Sequence, residues 1–407
     1  MSNDAHSQSR IRKILGILAL LALFLLLNLV ILHVPSTIAD YELPFPSFLT
    51  SKSTQHAPSA DEGPIVFAMV MFGARSAQEG QHMLKSVLMR ASRAVEVHIV
   101  CSEDAIPVLD AKLALVKKPV HGVDVRFYPV TSDVILARAK RAGIGSKHHA
   151  GAGGLAKMFI HELVPAQRAI YIDTDAVFVT DPSLLWTHFL SSHISSTSTL
   201  IALTHGGVHA QGTDLCTCVM GLHLGRMRGS PLLPSTLLPG TDVRALGRKE
   251  VWQAARIDEF NPPWGDQGLY WAMFHSTPGV FGRLSRRWDL NACHGHYGLN
   301  MLASDTTPDK FMRLGNDTAD VDETDGILAP GIVHFNCQDS EDSVFENARV
   351  RGSPVWGPLV TYTTQYKWAW LNQGDGSESV VTSTIRFAGF YDERVAAEWS
   401  QKKAGHQ

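Results

Sequence analysis

Arg168-Ala-Ile-Tyr-Ile-Asp-Thr-Asp-Ala-Val-Phe-Val179 is the stretch whose reading decides the fold. Ala169 to Ile172 form a short, wholly apolar run of the kind a buried β-strand needs, and Ala176 to Val179 resume it. Between the two runs stand Asp173 and Asp175, one residue apart. On a strand that spacing directs both carboxylates to one face, because side-chain direction repeats every two residues. Two acids side by side at the end of a buried strand repel each other, so a cation belongs there. A hard divalent ion bound through oxygen fits best and could bridge to the phosphates of a nucleotide. The plainer reading is a solvated turn after a strand, and Asp-x-Asp by itself does not separate the two.

Working outward, the folded part opens at Gly63-Pro64, and Ile65 to Phe72 reads as a buried strand. His82 to Met89 has helical apolar spacing, Val95 to Val100 (VEVHIV) alternates like a strand, Leu109 to Val116 is helical and Val123 to Tyr128 is a third strand. That alternation predicts an α/β fold with a mostly parallel sheet and helices on both faces. Just before the central strand comes Lys147-His-His-Ala-Gly-Ala-Gly-Gly-Leu-Ala-Lys157. Its glycines favour a closely packed loop, and Leu155 through Leu163 favours a helix ending at Pro165. His148 and His149 are either site residues on a lid or solvated loop residues. In open α/β sheets ligands bind beyond the carboxyl ends of the strands, where Asp173 and Asp175 would lie.

Downstream, Asp181 is an N-cap with Pro182 at the first helical position. Leu200 to Leu203 and Val219 to Leu224 read as strands, Pro231 to Gly240 as a loop and Glu250 to Ile257 as a helix. In Asn261-Pro-Pro-Trp-Gly-Asp266-Gln267-Gly-Leu-Tyr an acid–amide pair opens an apolar helix, where it either caps or faces a site. Gly331-Ile-Val-His334 is a short strand delivering a histidine at its end. Tyr362 to Trp370, a strand over Val380 to Phe387 and a helix over Tyr391 to Trp399 read as a packing layer.

With 45% hydrophobic and 18% charged residues, the 407-residue chain can bury a full core. A net charge of -3 argues against a nucleic-acid partner, which needs a basic face. The five cysteines (Cys101, Cys216, Cys218, Cys293, Cys337) are too few for a disulfide scaffold, and none forms a CxxC pair, which argues against zinc. Ile14 to Val34 is long and apolar enough to cross a bilayer. Arg10, Arg12 and Lys13 precede it, so the positive-inside rule places everything after residue 35 in the lumen or outside. The competing reading is a signal peptide cleaved after Thr37-Ile38-Ala39; the length of the apolar core favours an uncleaved anchor. Asn316-Asp317-Thr318, a glycosylation acceptor, agrees with lumenal exposure. There Cys216 and Cys218 could pair with Cys293 or Cys337. The expected organisation is a cytosolic tail (1–13), a transmembrane anchor (14–34), a Pro/Ser/Thr-rich stem (35–62), a catalytic domain (63–372) and a strand–helix extension (373–407).

Five stretches together carry a family likeness: KSVLMRASRAVEVHIVCSEDA, HHAGAGGLAKMF, RAIYIDTDAVFVTDPSLLW, GDQGLYWAMF and IVHFN. In order and spacing they resemble glycosyltransferase family 8, most of all the xylosyltransferase domains of LARGE-type enzymes and glucoside xylosyltransferases. The resemblance implies a GT-A fold, a Golgi type II membrane location, a UDP-sugar donor, Mn²⁺ and retention of anomeric configuration. Carried over by position, Asp173, Asp175 and His334 resemble the metal ligands, and Asp266 and Gln267 the pair beside the transferred sugar. Lys157 is expected near the donor, and the first strand, from Ala68 to Gly73 and so including Phe72, is expected to meet the uridine. The implied partners are the UDP-sugar (UDP-xylose favoured), a glycan or glycoprotein acceptor, the membrane and a second copy of the chain. Two departures stand out. Cys216-Thr217-Cys218 replaces an Asn-x-Gly type segment, and Cys337-Gln338-Asp339 follows the late histidine where many members place a phosphate-binding lysine.

In such a transfer the diphosphate is the leaving group, so a fixed cation beside it stabilises the transition state more than the ground state. A retaining glycosidase would use a nucleophilic carboxylate, but the position holds Gln267. Front-face attack, with Asp266 orienting the sugar, is therefore expected. The competing functions are a catalytically inactive lumenal binding protein on the same fold, and a nucleotide-sugar hydrolase.

Overall fold

The computed structural model describes residues 63–141, 150–191, 198–205, 215–228, 230, 266–292, 330–335, 343–353 and 356–386, all within a unit running from Gln55 to Gln407. The expected tail, anchor and stem, His148 and His149, the Pro231–Gly240 loop, the 250–257 helix, Cys293, Asn316, Cys337 and the 391–399 helix lie outside the described residues. Among the described residues no helix is long and apolar enough to cross a membrane.

Strand β1 (Ile65–Met71) is buried along almost its whole length, as a strand covered by helices on both faces must be. It pairs in parallel with β2 (Val95–Cys101) on one side and β4 (Ala169–Ile172) on the other. β2 pairs in parallel with β3 (Val123–Pro129), and β3 with β11 (Val380–Thr384), the edge strand of the same sheet. Beyond β4 the direction reverses: β7 (Leu215–Leu222) is antiparallel to β4 and to β6 (Ile201–His205), while β8 (Phe281–Leu284) runs parallel to β6. The eight strands lie in the order β11-β3-β2-β1-β4-β7-β6-β8, a mostly parallel sheet as expected. A second, three-stranded sheet orders β5 (Ala176–Phe178), β10 (Ile332–His334) and β9 (Leu290–Asn291).

The strand order turns back at β1, which has β2 on one side and the later β4 on the other. That is the topological switch point at which open α/β sheets leave a crevice beyond their carboxyl ends. Phe72 follows β1 there and Asp173 follows β4. Gly73, at φ 88°, makes the turn out of β1 in a conformation that glycine adopts without strain. The helix Ala74–Arg90 then begins with its first amide groups bound from outside. Gly73 N donates to Ser102 Oγ (2.7 Å) and Ala74 N to Asp104 Oδ2 (3.0 Å), an acid placed at the positive end of the helix. Ala77, Met83, Leu84 and Val87 from that helix join Leu109 and Leu113 against one face of the sheet. Leu155, Phe159, Ile160 and Tyr270 cover the other. Lys85, almost wholly buried, is satisfied at the carboxyl end of the helix Gly357–Gln365, donating to Tyr366 O (2.7 Å) and Thr364 O (3.3 Å).

Three local expectations change. The glycine-rich stretch is helical from Gly151 to Ala156, then tightens into a 3₁₀ turn at Lys157–Phe159 and continues as Ile160–Leu163. Strand β7 begins at Leu215 rather than Val219, so Cys216-Thr-Cys218 lies inside it; all eight of its residues are buried, which hides a strand from any alternation test. Asp173 and Asp175 do not share one continuous strand. The chain changes sheets between them, because β4 pairs with β1 and β7 whereas β5 pairs with β10.

His161 is fully buried beside Arg228 and Arg138, and burial, reinforced by those two cations, pushes its pKa down to about 3. A histidine depressed in the folded state takes its proton first in the unfolded chain. The stability it permits at pH 7 is therefore lost as pH falls through 6.5 towards 3. Between pH 6 and 4 the wild type should lose about 1.4 kcal/mol per pH unit more than His161→Gln. Urea unfolding of both proteins across that range measures the difference.

Candidate functional site

Asp173 leaves the end of β4 with its amide held by Cys218 O (2.9 Å) from the neighbouring β7. Its carboxylate accepts from Lys157 Nζ (2.9 Å) and from the Tyr171 hydroxyl. Asp175 lies across the turn, its backbone oxygen accepting from Phe335 N (3.0 Å) as β10 passes. His334, at the end of β10 as expected, brings Nε2 to 3.3 Å from Asp175 without hydrogen-bond geometry, and Nδ1 to 3.0 Å from Asp289 Oδ1. The sheet crossover thus brings together what the two-residue period was expected to. Asp173, Asp175 and His334 each offer a donor atom, and all three atoms lie within 4.8 Å of one another, so they could hold one metal ion.

Lys157 is the hinge between this cluster and the acid–amide pair. Its Nζ stands 3.2 Å from Asp266 and 5.2 Å from the centre of the Tyr171 ring. Asp266, in the first turn of the helix Asp266–Ser276, also accepts from Thr217 Oγ1 (2.8 Å), and Gln267 Nε2 donates to Leu215 O (3.0 Å). Both are buried. Gly154 explains part of the glycine-rich stretch: a Cβ there would sit 3.1 Å from Asp266 Oδ1 and 2.9 Å from Ala150 Cβ. Phe72 is half-buried near Gly153, while Ala68 has no exposed surface and packs under the site in mid-strand.

The charges are interdependent. Burial pushes the Asp173 carboxyl up, and Asp175 adds to this against the pull of Lys157. Burial acts on Asp175 too, but His334 outweighs it and holds that carboxyl below its usual range. For Lys157 and His334 burial opposes the charged form and the neighbouring acids overcome it. Asp173 and Asp266 raise the lysine; Asp175 and Asp289 raise the imidazole well above its ordinary value. A metal ion would take neutral His334, so its binding releases that proton.

Sequence reasoning missed several residues here. Asp289 orients His334 and is itself fixed by Thr204 Oγ1 (3.0 Å). Glu79 braces the turn, accepting from Thr174 Oγ1 (2.8 Å) and Val344 N (3.2 Å); burial and Asp175 raise its pKa. Neither carries a local signal. Tyr171 could have been found, since it shares a strand face with Asp173. Cys216 and Cys218 pair with each other rather than with Cys293 or Cys337. Two residues apart on a strand they point the same way, and their 5.6 Å Cα separation suits a disulfide.

No family model matches the chain. It is similar to Xylosyl- and glucuronyltransferase LARGE2 of Homo sapiens, 25% identical over 242 residues covering 55% of this chain and 30% of LARGE2. Xylosyl- and glucuronyltransferase LARGE1 of Homo sapiens is 29% identical over 124 residues, 30% of this chain and 16% of LARGE1. The matched stretch thus spans at most 30% of these relatives' length. Among solved structures, apo mouse xyloside xylosyltransferase 1 matches with TM-score 0.47 and 19% identity over 67% of this chain and 99% of that one. The galactosyltransferase LgtC, in complex with donor and acceptor sugar analogues, matches with TM-score 0.47 and 14% identity over 75% and 99%. By sequence the chain is a relative of the LARGE xylosyl- and glucuronyltransferases, and the likeness of its motifs to glycosyltransferase family 8 is consistent with that relationship.

Proposed function

We propose that this chain is a metal-dependent, retaining glycosyltransferase of GT-A type that moves a sugar from a UDP-sugar to a glycan or glycoprotein acceptor. The observation carrying this reading is the meeting of Asp173, Asp175 and His334 at the switch point of the sheet, with Lys157 tying them to Asp266. Two carboxylates and one imidazole suit Mn²⁺; bound there, it would neutralise charge developing on the diphosphate leaving group. Asp173, Asp175 and His334 would hold the ion, and Lys157 keeps the Asp173 and Asp266 carboxylates from repelling each other and would offer a cation to the donor. Asp266, held by Thr217, orients sugar hydroxyls, while Gln267 spends its amide N–H on Leu215 O and stays in place beside them.

The named activities of the LARGE relatives make UDP-xylose and UDP-glucuronate the first donors to test. The apolar run of residues 14–34 and the basic residues before it support a type II anchor with the catalytic part lumenal. UDP release by the purified chain with a panel of UDP-sugars and Mn²⁺ is the test. Turnover that needs the ion and yields a glycosylated acceptor is expected. Metal-independent nucleotide binding without turnover would favour the binding-protein reading instead, and free sugar without transfer would favour hydrolysis.

A further inference from the structure

Strand β7 has two working faces. Thr217 points to Asp266, whereas Cys216 and Cys218, one residue to either side, point the opposite way. On that side, Cys216, Cys218, Asp289 and His334 each offer a donor atom, all within 4.8 Å of one another, and all four residues are buried. Two sulfurs, one carboxylate oxygen and one imidazole nitrogen make a complete tetrahedral set for zinc, with thiolates selecting it over a harder ion. Thr204 already supplies the outer hydrogen bond that fixes Asp289. The absence of a CxxC pair argued against zinc from sequence. The strand spacing Cys-x-Cys, with two partners from distant segments, supplies the ligands by another route.

We propose that reduction of the Cys216–Cys218 disulfide converts this cluster into a zinc site that takes His334 away from Asp173 and Asp175. A dithiol reductant gives two electrons and two protons to the disulfide and leaves as its own disulfide. Zinc then binds both sulfurs as their two protons pass to solvent. His334 belongs to both clusters, and a neutral imidazole has one free lone pair, so it serves one ion at a time. In the oxidised chain the sulfurs are bonded to each other and His334 stays with the aspartates. The competition rests on the metal-site reading given above; the zinc site does not.

The test uses the whole chain, oxidised and reduced, with Co²⁺ as a spectroscopic stand-in and zinc counted after dialysis. The reduced wild type should show thiolate-to-cobalt charge-transfer absorption and retain zinc more tightly through dialysis than the oxidised form, which should show no such absorption. Cys101 is deeply buried, its thiol pushed up to about 12 by burial. Cys216→Ser/Cys218→Ser should remove the absorption, and Asp289→Asn, which keeps both thiols, should weaken zinc binding more than about tenfold. Near-UV circular dichroism checks that each variant is folded. Mn²⁺-dependent UDP release should fall on zinc loading of the reduced form and return on reoxidation. Reduced wild type without thiolate–cobalt absorption, or with absorption that survives the double serine change, overturns the zinc site. Zinc bound through the thiolates with UDP release unchanged overturns the competition. Zinc bound in a chain that never releases UDP refutes the transferase reading and leaves the zinc site standing.

Discussion

Asp175→Asn lowers Mn²⁺-dependent UDP release by about 10²–10³-fold, the scale on which loss of one preorganised electrostatic group acts on a transition state. The change keeps the shape of the side chain and removes one of the two carboxylates that face His334 across the turn. Asp175 is partly exposed, and its backbone oxygen, not its side chain, carries the bond to Phe335 that holds β10 in place. The fold should therefore survive, and the loss should fall on metal affinity and turnover together. Titrating Mn²⁺ separates the two: the variant needs a higher concentration, and saturating metal restores only part of the rate. A second consequence follows for His334. Its imidazole is held charged by Asp175 and Asp289, so with one acid gone its pKa drops towards the ordinary histidine value. Wild-type rates in Asp175→Asn at low Mn²⁺ would remove Asp175 from the metal site.

The parts of this site that could be read from sequence are those whose signal is local. The apolar run at Ala169–Ile172 with an acid after it, the histidine ending Ile332–His334 and the acid–amide pair opening the helix at Asp266 all declare themselves within a few residues. What could not be read depends on partners brought from far along the chain. The crossing from β4 to β5 is decided by β10, so a strand-face argument placed Asp173 and Asp175 together for the wrong reason. Asp289 matters only because β9 runs beside β10, and Glu79 only because its helix passes under Thr174. Gly151–Ala156 is helical against its own propensity; Gly154 lies so close to Asp266 that a side chain there would crowd the carboxylate.

Lys157→Met should destabilise the metal-free chain by about 3–5 kcal/mol, the range for removing one partner from a buried charge cluster. Methionine keeps the apolar stem over the Tyr171 ring but leaves Asp173 and Asp266 facing each other with no cation between them. Asp173 already has a raised pKa with the lysine present, and losing the lysine raises it further. A carboxyl raised in the folded state binds its proton there first, so the variant regains stability as pH falls towards and below that raised value. Mn²⁺ should also rescue it, because a divalent ion at Asp173, Asp175 and His334 restores positive charge beside the same carboxylate. The gain in urea midpoint on adding Mn²⁺ is then larger in Lys157→Met than in the wild type. Asp266→Asn in the same chain should recover part of the loss, since it removes one of the two facing charges, and a double-mutant cycle yields the coupling directly. If instead the variant unfolds at the wild-type midpoint with or without metal, the ion pairs of Lys157 add no net stability. The link it makes between the metal cluster and the sugar-side acid would then carry no free energy.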